Sequence, residues 1–86
     1  MGKIIWTRHA EERQKQWELK IGISREEAER ALENPREVVA GEGGLMIAQS
    51  PRGRGLLRIV FKASQESQAI VTIYWTSKME KYRRDS

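Results

Sequence analysis

The apolar period of this chain changes once, at Asn34-Pro35, and that change limits what it can fold into. Before it, apolar residues recur at helical spacing. After it they alternate, in short runs separated by glycine-bearing turns. Proline pushes the residue before it out of the helical region, so the helical part must close there. Helices first and strands afterwards, with no helix between strands, predict an α+β fold with an antiparallel sheet.

In the first part, Lys3-Ile4-Ile5-Trp6 reads as a short extended opening and Thr7 as a cap, its hydroxyl accepting a first-turn amide. A helix is expected over residues 8–20, with a thin stripe of Ala10, Gln14, Trp17 and Ile21; Trp17 is its anchor, and Glu11, Lys15 and Glu18 face water. Gly22 breaks this helix. Ser24-Arg25-Glu26-Glu27 then has the form of a capping box, in which the serine accepts from the Glu27 amide and Glu27 returns to the serine amide. Ala28, Ala31 and Leu32 form the buried stripe of a second helix.

Strands are expected at 37–40, 44–49, 56–62 and 68–76, joined by Gly41-Glu42-Gly43-Gly44, by Pro51-Arg52-Gly53-Arg54-Gly55 and by a turn at 64–67. Sequential hairpins predict an antiparallel meander with no parallel crossover. Alternation puts Leu57, Ile59, Phe61, Val71, Ile73 and Trp75 on the core face with Trp17 and Leu32, and Leu56, Arg58, Val60, Lys62, Thr72, Tyr74 and Thr76 on the other. The expected architecture is two N-terminal helices packed on one side of a four-stranded antiparallel sheet, with the Arg58 and Tyr74 face at least partly open. The 86 residues, 38% of them hydrophobic, allow one domain spanning 1–86.

Several chemistries are excluded. Without cysteine there is no disulfide and no thiolate, and one histidine cannot assemble the usual multi-His zinc site, so no metal and no cofactor is expected. No signal-like leader and no run of ~20 apolar residues is present, which predicts a cytoplasmic protein away from membranes. Gly41 to Gly44 is no phosphate loop, because it lacks the Gly-Lys-Ser/Thr ending and sits between strands.

What remains is charge. Residues 1–43 carry eight Lys/Arg against nine Asp/Glu, whereas residues 44–86 carry eight against three. The basic half gathers at Arg52, Arg54, Arg58 and Lys62 and again at Lys78, Lys81, Arg83 and Arg84, a pattern that attracts polyanions. Arg52-Gly53-Arg54-Gly55 is similar to arginine-glycine segments that pair with phosphate and stack on bases. For RNA the candidate contacts are Arg52, Arg54, Lys62, Lys81, Arg83 and Arg84. His9 and Arg13, four apart on one helix face, would suit a general base beside a phosphate-binding cation, although a single histidine excludes a two-imidazole mechanism. Arg58 interrupts an apolar run at the centre of a strand.

Ile5-Trp6-Thr7-Arg8-His9-Ala10 with Arg13, Gly22-Ile23-Ser24-Arg25-Glu26-Glu27, Leu32-Glu33-Asn34-Pro35 and Val71-Thr72-Ile73-Tyr74-Trp75-Thr76-Ser77-Lys78 together resemble a small bacterial domain family of unknown function. That family is more loosely similar to the BrnT and RelE-like ribonuclease toxins, which carry two N-terminal helices on an antiparallel sheet. The resemblance implies metal-independent cleavage of messenger RNA, ribosome-associated mRNA included, and an antitoxin encoded alongside. It also implies Arg58, Tyr74, Lys78 and Tyr82 as catalytic candidates, with His9 and Arg13 in the family-like start. BrnT members open with a tryptophan-acidic pair where this chain has Trp6-Thr7, and their arginine-rich end is partly present as Lys81-Tyr82-Arg83-Arg84. Two readings stay open: a toxin-type endoribonuclease, and a non-catalytic RNA- or protein-binding module of the same fold. They differ in whether a base, a phosphate clamp and an acid converge on one scissile position.

Overall fold

The computed structural model describes residues 3–78. In chain order it comprises β1 (Lys3–Trp6), α1 (Arg8–Ile21), α2 (Arg25–Glu33), β2 (Glu37–Ala40), a 3₁₀ turn at Glu42–Gly44, β3 (Met46–Arg52), β4 (Gly55–Ala63) and β5 (Ser67–Thr76). Both helices form where the capping signals place them. Thr7 Oγ1 accepts from the Ala10 amide at 3.2 Å, Gly22 closes α1 at φ 77°, and Ser24 Oγ accepts from the Glu27 amide at 3.0 Å.

The fold is α+β, two helices on a sheet, but the sheet has five strands in the order β1-β5-β4-β3-β2. β2 to β5 form the expected antiparallel meander. The extended opening is the fifth strand: β1 pairs parallel with β5, from Lys3 opposite Ser67 to Trp6 opposite Ile70. The sheet is therefore mixed. Reading hairpins along the chain detects only neighbours in sequence, and this pairing joins the first strand to the last.

β1 covers only the first part of the outer edge of β5, and α1 covers more of it. Thr7 Oγ1 donates to the Ile70 carbonyl at 2.7 Å, and the Trp17 indole N–H donates to the Ile73 carbonyl at 3.2 Å. The Ile70 carbonyl also accepts from the Thr7 amide at 3.3 Å, and together these contacts cover an edge that could otherwise become a template for another strand. α2 packs on β3 and β4 instead, and Trp6 Nε1 donates to Glu29 Oε2 at 2.9 Å, tying β1 to α2.

The core lies between helices and sheet. Ile23, Leu57, Ile59, Ile70 and Ile73 are its largest fully buried apolar side chains. Trp17 and Trp75 pack against it while remaining partly exposed, because each indole N–H must reach a carbonyl; that of Trp75 donates to the Arg52 carbonyl at 2.8 Å. The expected core position Val71 is taken by Ile70. A register shift pairs Val60 with Thr72 but Phe61 with Ile70, so Val71 bulges out of the ladder. Ile70 and Ile73, three apart, then both turn inward, which strict alternation forbids.

The capping box is half formed. Ser24 accepts as expected, but the Glu27 carboxylate takes Arg52 of β3, with Arg52 Nε to Oε2 at 3.0 Å and Nη2 to Oε1 at 3.4 Å. A charged two-pronged partner competes well against one serine amide, and the contact locks the start of α2 to the end of β3.

Gly55 opens β4 because nothing larger fits. A Cβ there would lie 2.1 Å from the Thr76 carbonyl oxygen and 2.7 Å from Trp75 Cζ2. Gly55→Ala should therefore destabilise the fold by more than Ser24→Ala, which removes one cap and costs about 1 kcal/mol. Urea titrations of the two variants check the order, and an unchanged midpoint for Gly55→Ala would contradict the Trp75 packing.

Candidate functional site

β4 sends Leu57, Ile59 and Phe61 toward the helices and Leu56, Arg58 and Val60 to the opposite face of the sheet. On that opposite face, pairing register alone aligns one polar residue from each of four strands. Glu37 of β2 pairs with Gln49 of β3, Gln49 with Arg58 of β4, and Arg58 with Tyr74 of β5. Side chains directly opposite in a sheet are close enough to bond, and these four do. Gln49 Nε2 donates to Glu37 Oε1 at 2.8 Å, Arg58 Nε donates to Gln49 Oε1 at 2.9 Å, and Arg58 Nη1 donates to the Tyr74 hydroxyl. The Arg58 guanidinium also lies 5.5 Å from the centroid of the Tyr74 ring.

Arg58 points to the expected face, but that face is not open at its position: Arg58 is 5% exposed and Gln49 1%. Burying a guanidinium is costly unless its donors are taken up, and the row supplies acceptors on both sides. Among the described residues, Arg58 and Tyr74 are thus candidate residues that the fold brings into direct contact.

The other candidates are placed differently. Lys62 is exposed on the same face of β4, four residues from Arg58 and therefore about 13 Å along the strand. Lys78 is exposed just past β5, its amide bonded to Thr76 Oγ1 at 3.1 Å. Arg54 is exposed at the β3–β4 hairpin tip. Arg52 turns toward the helices and is bonded to Glu27. His9 is exposed in the first turn of α1. Arg13, further along α1, donates from Nη1 to Gln16 Oε1 at 3.3 Å, and its buried Nε has no partner. Both belong to the helical layer, and no bond joins them to the Arg58–Tyr74 row. Lys81, Tyr82, Arg83 and Arg84 lie outside the described residues.

Two residues of the row were not among the candidates. Gln49 ends one expected strand and Glu37 starts another, and neither position by itself shows its register in sequence. The signal was the two-residue turn Gly53-Arg54: once Arg52 pairs with Gly55, counting back puts Gln49 opposite Arg58. Among the described residues no group of three or more His, Asp or Glu side chains is arranged to hold a metal ion, and no helix is long and apolar enough to cross a membrane.

No family model matches this chain, and no curated protein does. Among solved structures, the 1.1 Å crystal structure of the Brucella abortus ribonuclease toxin BrnT is similar, with a TM-score of 0.59 over 91% of this chain and 100% of that one, at 20% sequence identity. At that identity the likeness is one of fold.

Because Arg58 is buried and bonded on both sides, its removal is not thermally neutral. Arg58→Ala would leave Gln49 Oε1 without its donor and open a void, costing at least about 2 kcal/mol. Arg54→Ala, at an exposed tip, should stay within about 0.5 kcal/mol of the parent. Denaturant unfolding measures both, and equal midpoints would contradict the burial of Arg58.

Proposed function

We propose that the protein is an RNA-cleaving, toxin-like protein of BrnT-like fold that needs no metal or cofactor and acts through Arg58 and Tyr74. The observation that carries this reading is the direct bond between these two side chains at the centre of the sheet face away from the helices. The fold likeness to a ribonuclease toxin supports it. Guanidinium pairs with phosphate oxygens in a fixed fork geometry, and a rigid strand position holds it ready for the charge that develops on a phosphate under attack. When RNA is cut by its own 2′ hydroxyl, that hydroxyl gives its proton to water, its oxygen forms a bond to phosphorus, the bond to the 5′ oxygen breaks, and the leaving oxygen takes up a proton. In this reading the Tyr74 hydroxyl gives that proton or orients the attacking group.

The exposed cations have a different part. Lys62, Lys78 and Arg54 attract the RNA backbone, Lys81, Arg83 and Arg84 extend the basic run in sequence, and Tyr82 remains a catalytic candidate. The partner is RNA, ribosome-associated mRNA among the candidates, and an antitoxin would cover the same sheet face. Cytoplasmic action and a single domain over 1–86 belong to this proposal.

One observation favours the second reading, RNA binding without cleavage. The Arg58 guanidinium already bonds Gln49 and Tyr74, so a phosphate must share it with them.

Inducing the protein in a bacterium should arrest growth and truncate transcripts, and Tyr74→Phe should lower the cleavage rate at least about 100-fold. If about three phosphates are neutralised, affinity for single-stranded RNA should drop at least about tenfold between 50 and 200 mM salt. Salt-sensitive binding with intact transcripts would select the second reading. Absence of both binding and cleavage across varied RNAs would overturn the proposal.

A further inference from the structure

Gln49 sits between two side chains of opposite hydrogen-bonding character. Arg58 has donors only and the ionised Glu37 carboxylate has acceptors only. A glutamine amide has one end of each kind, so only one of its two orientations satisfies both neighbours: Nε2 toward Glu37 Oε1 at 2.8 Å and Oε1 toward Arg58 Nε at 2.9 Å. Gln49 is 1% exposed, which leaves water little access to rescue the flipped form. Once Oε1 holds Nε, the planar guanidinium is fixed in rotation, and its Nη1 meets the Tyr74 hydroxyl.

We propose that Glu37 and Gln49 are positioning residues for Arg58, the Glu37 carboxylate setting the direction of the Gln49 amide and the amide setting the rotation of the guanidinium toward Tyr74. This rests on the reading of Arg58 and Tyr74 as the RNA-cleaving pair. Neither Glu37 nor Gln49 need touch the substrate. Misplacement of a catalytic group by about 1 Å costs on the order of 100-fold in rate, so the relay acts on turnover and leaves substrate binding nearly unchanged.

The test substitutes Glu37, which lies on the edge strand β2 and is only half-buried. Glu37→Lys replaces the acceptor by a donor, which can bond only Gln49 Oε1 and so turns Nε2 against Arg58. Glu37→Gln keeps an acceptor and preserves the order of the row. Two readouts are taken: hydrogen exchange of the Arg58 Nε–H by NMR on the free protein, and kcat and KM for a mixed-sequence single-stranded RNA oligonucleotide. In the parent, the Arg58 Nε–H should exchange at least about tenfold slower than that of exposed Arg54. Glu37→Lys should lose this protection and about 100-fold in kcat with KM within about threefold, and Glu37→Gln should recover most of both. If the lysine acted merely as an added charge, KM would fall and kcat would hold, which overturns the proposal. Equal impairment of the two Glu37 variants, or unchanged exchange in Glu37→Lys, also overturns it.

If Glu37→Lys does not fold, Gln49→Met serves in its place; loss of Arg58 Nε–H protection there supports the relay and retained protection overturns it. A parent protein that cuts no RNA would defeat the cleavage reading alone, because the exchange readout on the free protein still decides whether Glu37 orders Arg58.

Discussion

β4 is buried on both sides, and the rest of the structure is arranged to satisfy its two faces. Every residue from Gly55 to Ile59 is buried. Toward the helices the requirement is apolar volume, which Leu57, Ile59 and Phe61 fill. On the other side stands Arg58, a full charge whose burial costs several kcal/mol unless its donors are bonded. That cost pins the register of both neighbours. A slip of one residue in β3 or β5 would turn Gln49 or Tyr74 into the helical core and take that partner away from Arg58. The polar row is therefore a registration device for the sheet as well as a candidate site.

The bulge at Val71 reconciles β5 with its two neighbours. Tyr74 must stay opposite Arg58 and Ile73 opposite Ile59. Further toward the start of the strand, a strictly alternating β5 would present Val71 to the core and turn Ile70 away. By leaving Val71 unpaired, the strand places Ile70 inward instead. It also presents the Ile70 carbonyl to Thr7, the residue that ends the pairing with β1 and caps α1. One hydroxyl thus joins the N-terminus of α1 to the edge of the sheet, and Trp17, ten residues on, repeats the attachment at Ile73.

Features governed by neighbours in sequence were legible, and those decided by distant partners were not. Thr7, Gly22 and Ser24 define helix ends through bonds that span three or four residues. Alternation puts Arg58 and Tyr74 on the same face because β4 keeps period two throughout and β5 keeps it beyond the bulge, from Thr72 to Thr76. The parallel pairing of β1 joins segments more than sixty residues apart, and no local pattern announces it. The arginine-glycine turn suggests an RNA contact for Arg52 and the local pattern a cap for Glu27; the pair between them forms because it is charged and two-pronged. Gln49 and Glu37 carry no motif. Their meaning comes wholly from being opposite Arg58 in register.

Under the proposed reading, attraction and chemistry fall to different cations for a physical reason. Exposed Lys62, Lys78 and Arg54 sit in water, where their fields are screened within about 8 Å at physiological salt, so they gather RNA without holding any atom in a set place. Arg58 is the reverse: buried, and bonded to Gln49 and Tyr74. A buried charge is poorly placed to attract a distant polyanion. Close to a phosphate, in a setting of lower dielectric than water, the same fixed guanidinium acts strongly and needs little rearrangement as charge develops. The ordering that makes Arg58 tolerable inside the sheet is thus also what would make it effective at a reacting phosphate. Stability and activity are coupled through Gln49 and separable at Tyr74, whose hydroxyl sits on a half-buried side chain and can be removed with its ring left in place.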